Sequence, residues 1–509
     1  MRTYIKSILV IAILTLSLAG CKKFGDFGDI NKSPNAASNP NTGMFFAASA
    51  LQMRNTIMTS STYDPWMQEW NGYIAEAMNN QFGALTSTTT FGTGTFYLTA
   101  MNQMNKIIEF NTDENTMNDS NVTSFGSAKN QIAVAMTFKA FFMMMATDIV
   151  GPLPYSEAFK GDEGIWEPKF DSVQDIYTAL DKELNEAYAM FETSGSLSKT
   201  YDILYKGDVT KWKKFNAAVR MMLAIKLSDV DAATGKSRFA KAYSDGSFTA
   251  VADGLNYTFS TQTSSWFYSI GNKNLASANK RFAANKFFVE ALKEYKDPRL
   301  FSYFTLDGYM GKRDGDPKDF DAYLGITFGH PTNNPVLEDA SKACSVADRY
   351  CEATATYGVI TTARILLLEA EAAQRGWISA DAKALYEAGI KASFEFEGVK
   401  EGVDEYIAAH PLPTDPDEAI KEIAMQRWFA GFMTNGVEQW SDWRRLNVPK
   451  LPLTDHQKTA SGQKTYPTRL AYSSEMDSNK TQRDEAVKTY FGGDNTAWKR
   501  LWWDVADND

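Results

Sequence analysis

The 509-residue chain carries 62 acidic residues against 52 basic ones, and its formal net charge of -10 weighs against nucleic acid and against a polybasic membrane-binding face. Its length is enough to bury a sizeable core and ordinarily implies more than one domain. Aromatic residues make up 13% of the chain, a supply that serves a core and also suits flat recognition surfaces for sugars or peptides.

The chain begins with a basic head, Arg2 and Lys6, followed by an apolar run from Ile8 to Leu18 and then Leu18-Ala19-Gly20-Cys21. This order describes an export signal over residues 1–20. Its apolar run of about 11 residues spans roughly 16 Å as a helix, too short for a hydrocarbon core of about 30 Å. An ordinary secretory signal needs only small residues near the cut, so the cysteine is the specific element. The box resembles the site at which bacterial lipoproteins are cleaved and lipidated, because a thiol is the group a diacylglycerol can alkylate. Cys21 is therefore the expected lipidation site, and two or three acyl chains hold a protein on a membrane far better than one. Residues 21–43, rich in Lys, Gly, Asp, Asn and Pro, read as a tether. The later apolar runs, Ile132–Val150 and Ile360–Leu368, are short or interrupted by Lys139, Asp148 and Arg364. The remainder is expected to be a soluble domain held at its N-terminus.

A helical pattern starts at Phe45–Ile57. Within Asp64–Asn80, expected as a helix, the spacing of Trp66, Trp70 and Tyr73 by four and three puts their rings on one face. Residues 82–99 read as a loop. Helices follow at Ala100–Phe110 and Ser127–Ala146, the latter with Phe138, Phe141, Phe142 and Met145 on a core face and with Pro152 and Pro154 ending it. Asp171–Phe191 and Trp212–Val230 are amphipathic. From Gly246 to about Ala355 the chain is rich in Gly, Ser, Thr, Asn and aromatics, with one clear helix at Lys280–Glu294. Helical pattern returns at Thr356–Arg375, capped by Gly376, at Ala380–Phe396, and at Glu418–Asn435, capped by Gly436. The expected fold class is mainly α. Neighbouring helix pairs over about 100–230 and 356–435 form a scaffold, with a loop-rich part over about 246–355 and a C-terminal packing tail over 436–509. The pairing resembles that of tetratricopeptide repeats, although no repeat motif recurs cleanly.

Catalytic signatures are absent: HExxH, CxxC, GxxxxGK[ST], GxSxG and GxGxxG do not occur. Asp314, Asp316, Asp319 and Asp321 lack the spacing and closing Glu of an EF-hand loop and read as a solvated acidic turn. Nothing in the spacing nominates a glycosidase pair, whose carboxylates must face each other at about 5 to 10 Å. His330, His410 and His456 are scattered and read as surface or packing residues. Once Cys21 is spent, Cys344 and Cys351 remain, and in an exported protein they are expected to pair as a local disulfide. No metal and no cofactor is expected, and the chain does not read as an enzyme.

Several separate blocks occur in order from the lipobox to the last ten residues. They are Asp148-Ile149-Val150-Gly151-Pro152-Leu153-Pro154-Tyr155-Ser156-Glu157-Ala158, Asp297-Pro298-Arg299-Leu300 and Glu369-Ala370-Glu371-Ala372-Ala373-Gln374-Arg375-Gly376-Trp377. Trp428 follows, then Gly436-Val437-Glu438-Gln439-Trp440-Ser441-Asp442-Trp443-Arg444-Arg445 and Pro467-Thr468-Arg469-Leu470-Ala471-Tyr472. Glu475, Asn479, Gly492-Gly493-Asp494 and Trp502-Trp503-Asp504 close the series. Together they resemble the SusD/RagB-like nutrient-binding outer-membrane lipoproteins of Bacteroidota, in particular the branch with a Trp-Trp-Asp C-terminus. One departure is Ser473, where the family often shows Pro after the Tyr, a difference confined to a turn. The resemblance implies a scaffold of tetratricopeptide-like helix pairs with irregular elements packed on it. It also implies a lid over a TonB-dependent, SusC-like barrel that captures an oligosaccharide, or in some relatives a peptide, at the cell surface. The energy enters through the barrel's periplasmic partners, so such a lid needs no catalytic group. Lys22 and Lys23 stand where surface-exposed relatives often carry acidic residues, so outward placement on the outer membrane rests on the resemblance.

Sugar rings are gripped by aromatic planes edged with hydrogen-bonding side chains, and peptides use similar shelves. The motif blocks are expected to serve the scaffold, so candidate binding residues are aromatics outside them. Trp266-Phe267-Tyr268, followed by Asn272 and Asn274, comes first, since three consecutive rings cannot all point inward. Trp66, Trp70 and Tyr73 follow, on a face that serves a core equally well and in the region where relatives place part of the site. Tyr309 and Arg313, in a Gly-rich loop, complete the set. Trp440, Trp443, Arg444 and Arg445 read as structural, and Trp502 and Trp503 as anchors of the tail. A structural or gating partner of the barrel with little ligand affinity, and a peptide-specific binder, are the alternative readings. A free periplasmic solute-binding protein conflicts with the lipobox and with the lack of alternating strand–helix units.

Overall fold

A computed structural model describes residues 41–53, 64–76, 83, 85, 90–91, 94–261, 282–308, 311–312, 314–330 and 343–506. The expected signal over 1–20 and Cys21 lie outside these residues, as do Trp266, Phe267, Tyr268, Asn272, Asn274, Tyr309, Arg313 and the side chain of Trp66.

Helix α1 (Thr42–Met53) is followed by α2 (Asp64–Trp70), β1 (Ile74–Glu76) and β2 (Thr90–Phe91). A π-helical stretch, Thr95–Met101, runs into α3 (Asn102–Thr112). Helix α4 (Ala128–Val150) starts where Ser127 Oγ accepts the Asn130 N–H at 3.3 Å. It is apolar on nearly every side, which suits a helix enclosed by others. Phe138 illustrates this, with ring centroids of Phe142 at 4.7 Å, Trp212 at 5.7 Å and Phe46 at 5.9 Å. Among the described residues α4 alone is long and apolar enough to cross a membrane, but 83% of its most apolar window is buried inside the protein. The charges that interrupt it are matched: Lys139 faces Glu183 at 3.3 Å and Asp148 pairs with Lys226.

The chain continues through α5 (Val173–Met190), α6 (Val209–Ile225), α7 (Ala232–Asp245), β3 (Leu255–Thr258), β4 (Phe282–Ala284) and α8 (Lys286–Glu294). Then come β5 (Phe304–Gly308), β6 (Gly311–Lys312), β7 (Cys344–Val346), β8 (Thr356–Ile360), α9 (Thr362–Gln374) and α10 (Ala382–Phe396). Helices α11 (Pro416–Phe429), α12 (Gly436–Leu446) and α13 (Asp455–Ser461), strand β9 (Ala471–Tyr472) and helix α14 (Lys480–Phe491) complete it. Successive helices pack as α4 on α5, α6 on α7 and α9 on α10, and these pairs meet through α5–α6 and α6–α9. Helix α12 lies against α2, α4 and α11. The described residues from Thr42 onward make one compact unit.

Beside the helices stands an antiparallel sheet in the order β1-β4-β7-β5-β6, with Ala75 opposite Ala283 and Ala283 opposite Ser345. It packs on a second core of Tyr73, Phe288, Tyr303, Trp428 and Phe432. Two small pairs, parallel β2–β9 and antiparallel β3–β8, bind remote parts of the chain to the scaffold.

The structure corrects several sequence expectations. The helix expected over Asp64–Asn80 stops at Trp70, because Gly72 takes a positive φ of 80° and turns the chain into β1. A side chain there would also meet Leu451 Cδ2 at 2.9 Å. Helix α7 went unread because Gly235 weakens its first turn, where it lets Trp377 approach, and its buried face is only Gly235, Phe239 and Ala242. Thr356–Ile360 is a strand, not the first turn of α9, in keeping with its Tyr, Val and Ile content. Gly436 is the first residue of α12, capped by the Asn435 side chain, and does not close α11. Cys344 and Cys351, expected as a disulfide, are buried thiols not bonded to each other. Strand β7 fixes Cys344, whose sulfur accepts the Leu324 N–H at 3.5 Å, while Cys351 closes a separate helical turn, Asp348–Cys351.

Candidate functional site

The motif blocks turn out to be a buried polar frame. Glu371 of α9 accepts both Arg445 guanidinium ends at 2.5 and 2.8 Å and Arg427 of α11 at 2.9 Å. Asp442 of α12 takes Arg364 at 2.7 Å and Arg427 at 2.8 Å. Glu438 accepts Lys226 at 3.0 Å, and Lys226 also reaches Asp148, which accepts the Tyr177 hydroxyl. Burial works to raise the Glu371 carboxyl, but the guanidiniums of Arg445, Arg375 and Arg427 hold it well below the ordinary carboxylate range.

Arg299, Asp171 and Arg444 act alike. Arg299 is fully buried, gripped by Asp297 at 2.5 Å and donating to Ser393 at 2.8 Å and Gln426 at 3.1 Å. Asp171 ties down the Pro154–Glu157 turn by accepting the Tyr155 and Ser156 N–H groups at 3.0 and 2.7 Å. Arg444 lies between the Trp440 ring at 3.8 Å and the Trp503 ring at 4.6 Å, and donates to the carbonyls of Asp148 at 2.7 Å and Thr468 at 2.9 Å. Trp503, fully buried, thus pins the chain end to α12. Two acids in this frame are poorly compensated: burial pushes Glu369 up to about 8, and pushes Asp504 up to about 6 despite Arg444 and Arg500.

Trp70 and Tyr73, expected on a binding shelf, are in the interior. Trp70 is 2% exposed, with its ring 5.6 Å from that of Trp440. Tyr73 is fully buried, donates its hydroxyl to Trp428 O at 2.6 Å and meets Phe288 at 4.9 Å. The reason is local. Gln68 and Asn71 donate to the carbonyls of Thr434 and Gly436 at 2.8 Å each, and Trp428 Nε1 donates to Asn71 O at 2.7 Å, so α2 and its turn are sewn onto the α11–α12 corner. Asp316 and Asp319, considered for calcium, accept the N–H groups of Lys318 and Asp321 in their own turns. Among the described residues no three His, Cys, Asp or Glu side chains gather as a metal site.

Five separated segments instead surround a groove of about 370 Å³: Gly72, the start of α8, Thr327-Phe328, Leu451–Thr454 and Tyr466. Asn285 caps α8 by accepting the Phe287 N–H at 3.0 Å, and Lys286 and Glu290 are exposed at the rim. The 325–329 segment presses against this corner, with Lys286 N–H donating to Ile326 O at 2.8 Å and Ile326 N–H to Ala284 O at 2.9 Å. A Cβ on Gly325 would lie 2.5 Å from Lys286 N, so the close approach needs glycine. Thr454 donates to Gly329 O at 2.8 Å from the opposite wall. Phe328 stacks with Tyr466, centroids 6.4 Å apart at 18°, and Tyr466 donates to Pro452 O at 3.1 Å. The groove is lined by the half-buried ring of Phe287 and by Phe328 and Tyr466, each 4% exposed, beside Asn285, Thr327 and Thr454. Its volume and mixture of ring and polar edge suit a small ligand unit. The single carboxylate in its lining is Glu290, which pairs with Lys293 at 3.4 Å. A second cavity, about 380 Å³ beside β3, has Lys206, Lys211 and Asn256 in its wall together with Tyr205 and Tyr257.

Sequence reasoning missed the groove rings. Phe287 and Phe288 are adjacent in α8, and consecutive residues cannot share a face, so one ring had to leave the core. Phe328 and Tyr466 carry no such local signal.

The sequence matches the SusD-like family, described as "Starch-binding associating with outer membrane", across residues 34–473. A solved structure named a chitin-binding protein is similar, with a TM-score of 0.76 at 25% identity, covering 92% of this chain and 100% of that chain. A SusD homolog from Bacteroides fragilis NCTC 9343 gives a TM-score of 0.74 at 24% identity over 91% of this chain and 99% of that one. A chitin-binding SusD homolog from Flavobacterium johnsoniae gives 0.70 at 24% identity over 91% and 100%. No curated protein matches the sequence.

Proposed function

The chain belongs to the SusD-like family, and on that footing we propose that it captures an oligosaccharide at the cell surface and passes it to a TonB-dependent, SusC-like outer-membrane barrel. In this reading residues 1–20 direct export, Cys21 carries the lipid, residues 21–43 are the tether, and 44–509 form the capturing domain. The successive pairs α4–α5, α6–α7 and α9–α10 are the tetratricopeptide-like scaffold. Trp502-Trp503-Asp504 supports reading the chain as one of the branch that ends in Trp-Trp-Asp.

The observation that carries the reading is the groove: rings of Phe287, Phe328 and Tyr466 beside hydrogen-bonding groups, with one carboxylate in the lining, already paired. Rings and polar edges bind the faces and hydroxyls of a sugar. Glycoside hydrolysis needs two facing carboxyl groups, so the arrangement favours a non-catalytic lid. The family description and the name of the chitin-binding relative put glycan ahead of peptide. Phe287 is half-buried at the wall, and Phe287→Ala is expected to weaken oligosaccharide binding about tenfold or more, in line with the loss of a stacking ring. Unchanged affinity in a folded Phe287→Ala protein would move the site away from this groove.

A further inference from the structure

Behind Tyr466 the groove adjoins a smaller cavity of about 190 Å³, and the two share Leu451, Leu453 and Tyr466 in their linings. The charged residues of this annex are Lys450, Lys458 and Lys464, with no carboxylate among its lining residues. Lys458 has Asp455 at 3.6 Å, on a side chain fully exposed to solvent. Lys450 and Lys464 have no ion-pair partner among the described residues, although the chain as a whole carries a net charge of -10. Like charges gathered at one recess repel each other and focus a positive potential into it.

Trp443, 3% exposed, forms part of the wall of the same recess. The neighbouring polar groups are already engaged: Tyr466 donates to Pro452 O at 3.1 Å, and Thr465 O accepts Trp498 Nε1 at 3.0 Å. A charged oxygen entering the recess would compensate the lysines, and a neutral hydroxyl would leave them uncompensated.

We infer that the groove and its lysine annex together take an acidic oligosaccharide, with the sugar face on the groove rings and a carboxylate or sulfate oxygen among Lys450, Lys458 and Lys464. This rests on the capture reading above and names the chemistry of the captured glycan.

Full-length protein purified in detergent is titrated by calorimetry with tetragalacturonate, a sulfated carrageenan tetrasaccharide, neutral maltotetraose and an oligoglutamate peptide, at low and high salt. At least one acidic saccharide is expected to bind about tenfold tighter than the neutral one at low salt, and the preference shrinks as salt screens it. Preference for the uronate alone assigns the carboxylate, and preference for the carrageenan alone assigns the sulfate ester. The double substitution Lys450→Gln, Lys464→Gln, at exposed side chains, should abolish the preference and leave maltotetraose affinity unchanged. Equal affinity for acidic and neutral saccharides overturns the inference and leaves the capture reading standing, as does a preference that survives the double substitution. Tighter binding of the oligoglutamate than of any saccharide overturns the saccharide assignment. Failure of the folded protein to bind any saccharide overturns both.

Discussion

Asp504 is the clearest place to test the energetics of the frame. Its side chain is 2% exposed, and neither carboxylate oxygen has a hydrogen-bond partner. Burial raises its pKa from 3.8 to about 6, and the attraction of Arg444 and Arg500 only partly offsets this. A carboxyl whose pKa rises on folding penalises the native state once it ionises, so the penalty appears above pH 3.8 and is complete above about 6. The difference corresponds to about 3 kcal/mol, at about 1.36 kcal/mol for each tenfold change in the proton equilibrium. Asn is close in shape to the protonated acid and removes the charge. Urea denaturation of wild type and Asp504→Asn from pH 4 to 7.5 should show near-equal stability at the acid end. The variant should then gain progressively, reaching about 3 kcal/mol at pH 7.5. A gap that stays flat with pH, or an Asn variant that loses stability near neutrality, would show that the buried charge carries no such penalty. Either result would mean that attraction to Arg444 outweighs burial and that Asp504 acts as a buried ion-pair partner.

Glu371→Gln should do the opposite, because it strands Arg445 and Arg427 without their main counter-charge. We expect a loss of about 3 to 5 kcal/mol near neutral pH, read from denaturation midpoints. Since the Glu371 carboxyl is held well below its ordinary range, its contribution should be present above about pH 4.5 and should fade as the pH falls through its folded value. Glu369, two residues earlier, is raised by burial from 4.5 to about 8, so Glu369→Gln should become increasingly stabilising, relative to wild type, between pH 4.5 and 8. A Glu369→Gln protein that loses stability at pH 8 would reveal a charge partner for this carboxylate. Trp440→Ala, which opens the stack around Arg444, should cost about 3 to 5 kcal/mol of stability before it touches ligand affinity.

Much of the scaffold was legible because α4, α5, α6, α9 and α10 carry apolar residues at helical spacing, and the period survives whatever they pack against. The blocks resembling the family were recognisable for a related reason. They hold paired buried charges such as Glu371 with Arg445, or Asp297 with Arg299. The three-residue strands β1, β4 and β7 were not legible, because Ile-Ala-Glu or Cys-Ser-Val has no period to read and becomes a strand only through its neighbours. The site suffered most. Trp70 and Tyr73 looked like a shelf because an aromatic face on one helix is the same pattern whether it meets water or a core, and only the docking of α2 on α12 decides which. The groove gathers residues from five distant segments, so no local window contains it.

The proposed function is capture without chemistry. Residues 22–509, expressed without the lipid, should be titrated calorimetrically with neutral and acidic oligosaccharides, polysaccharides and mixed peptides, and each ligand that binds should then be analysed for breakdown. Saturable binding of a saccharide that is recovered intact is the expected result. Turnover of the bound saccharide would contradict it by making the protein an enzyme. Binding of peptides alone would contradict the glycan assignment.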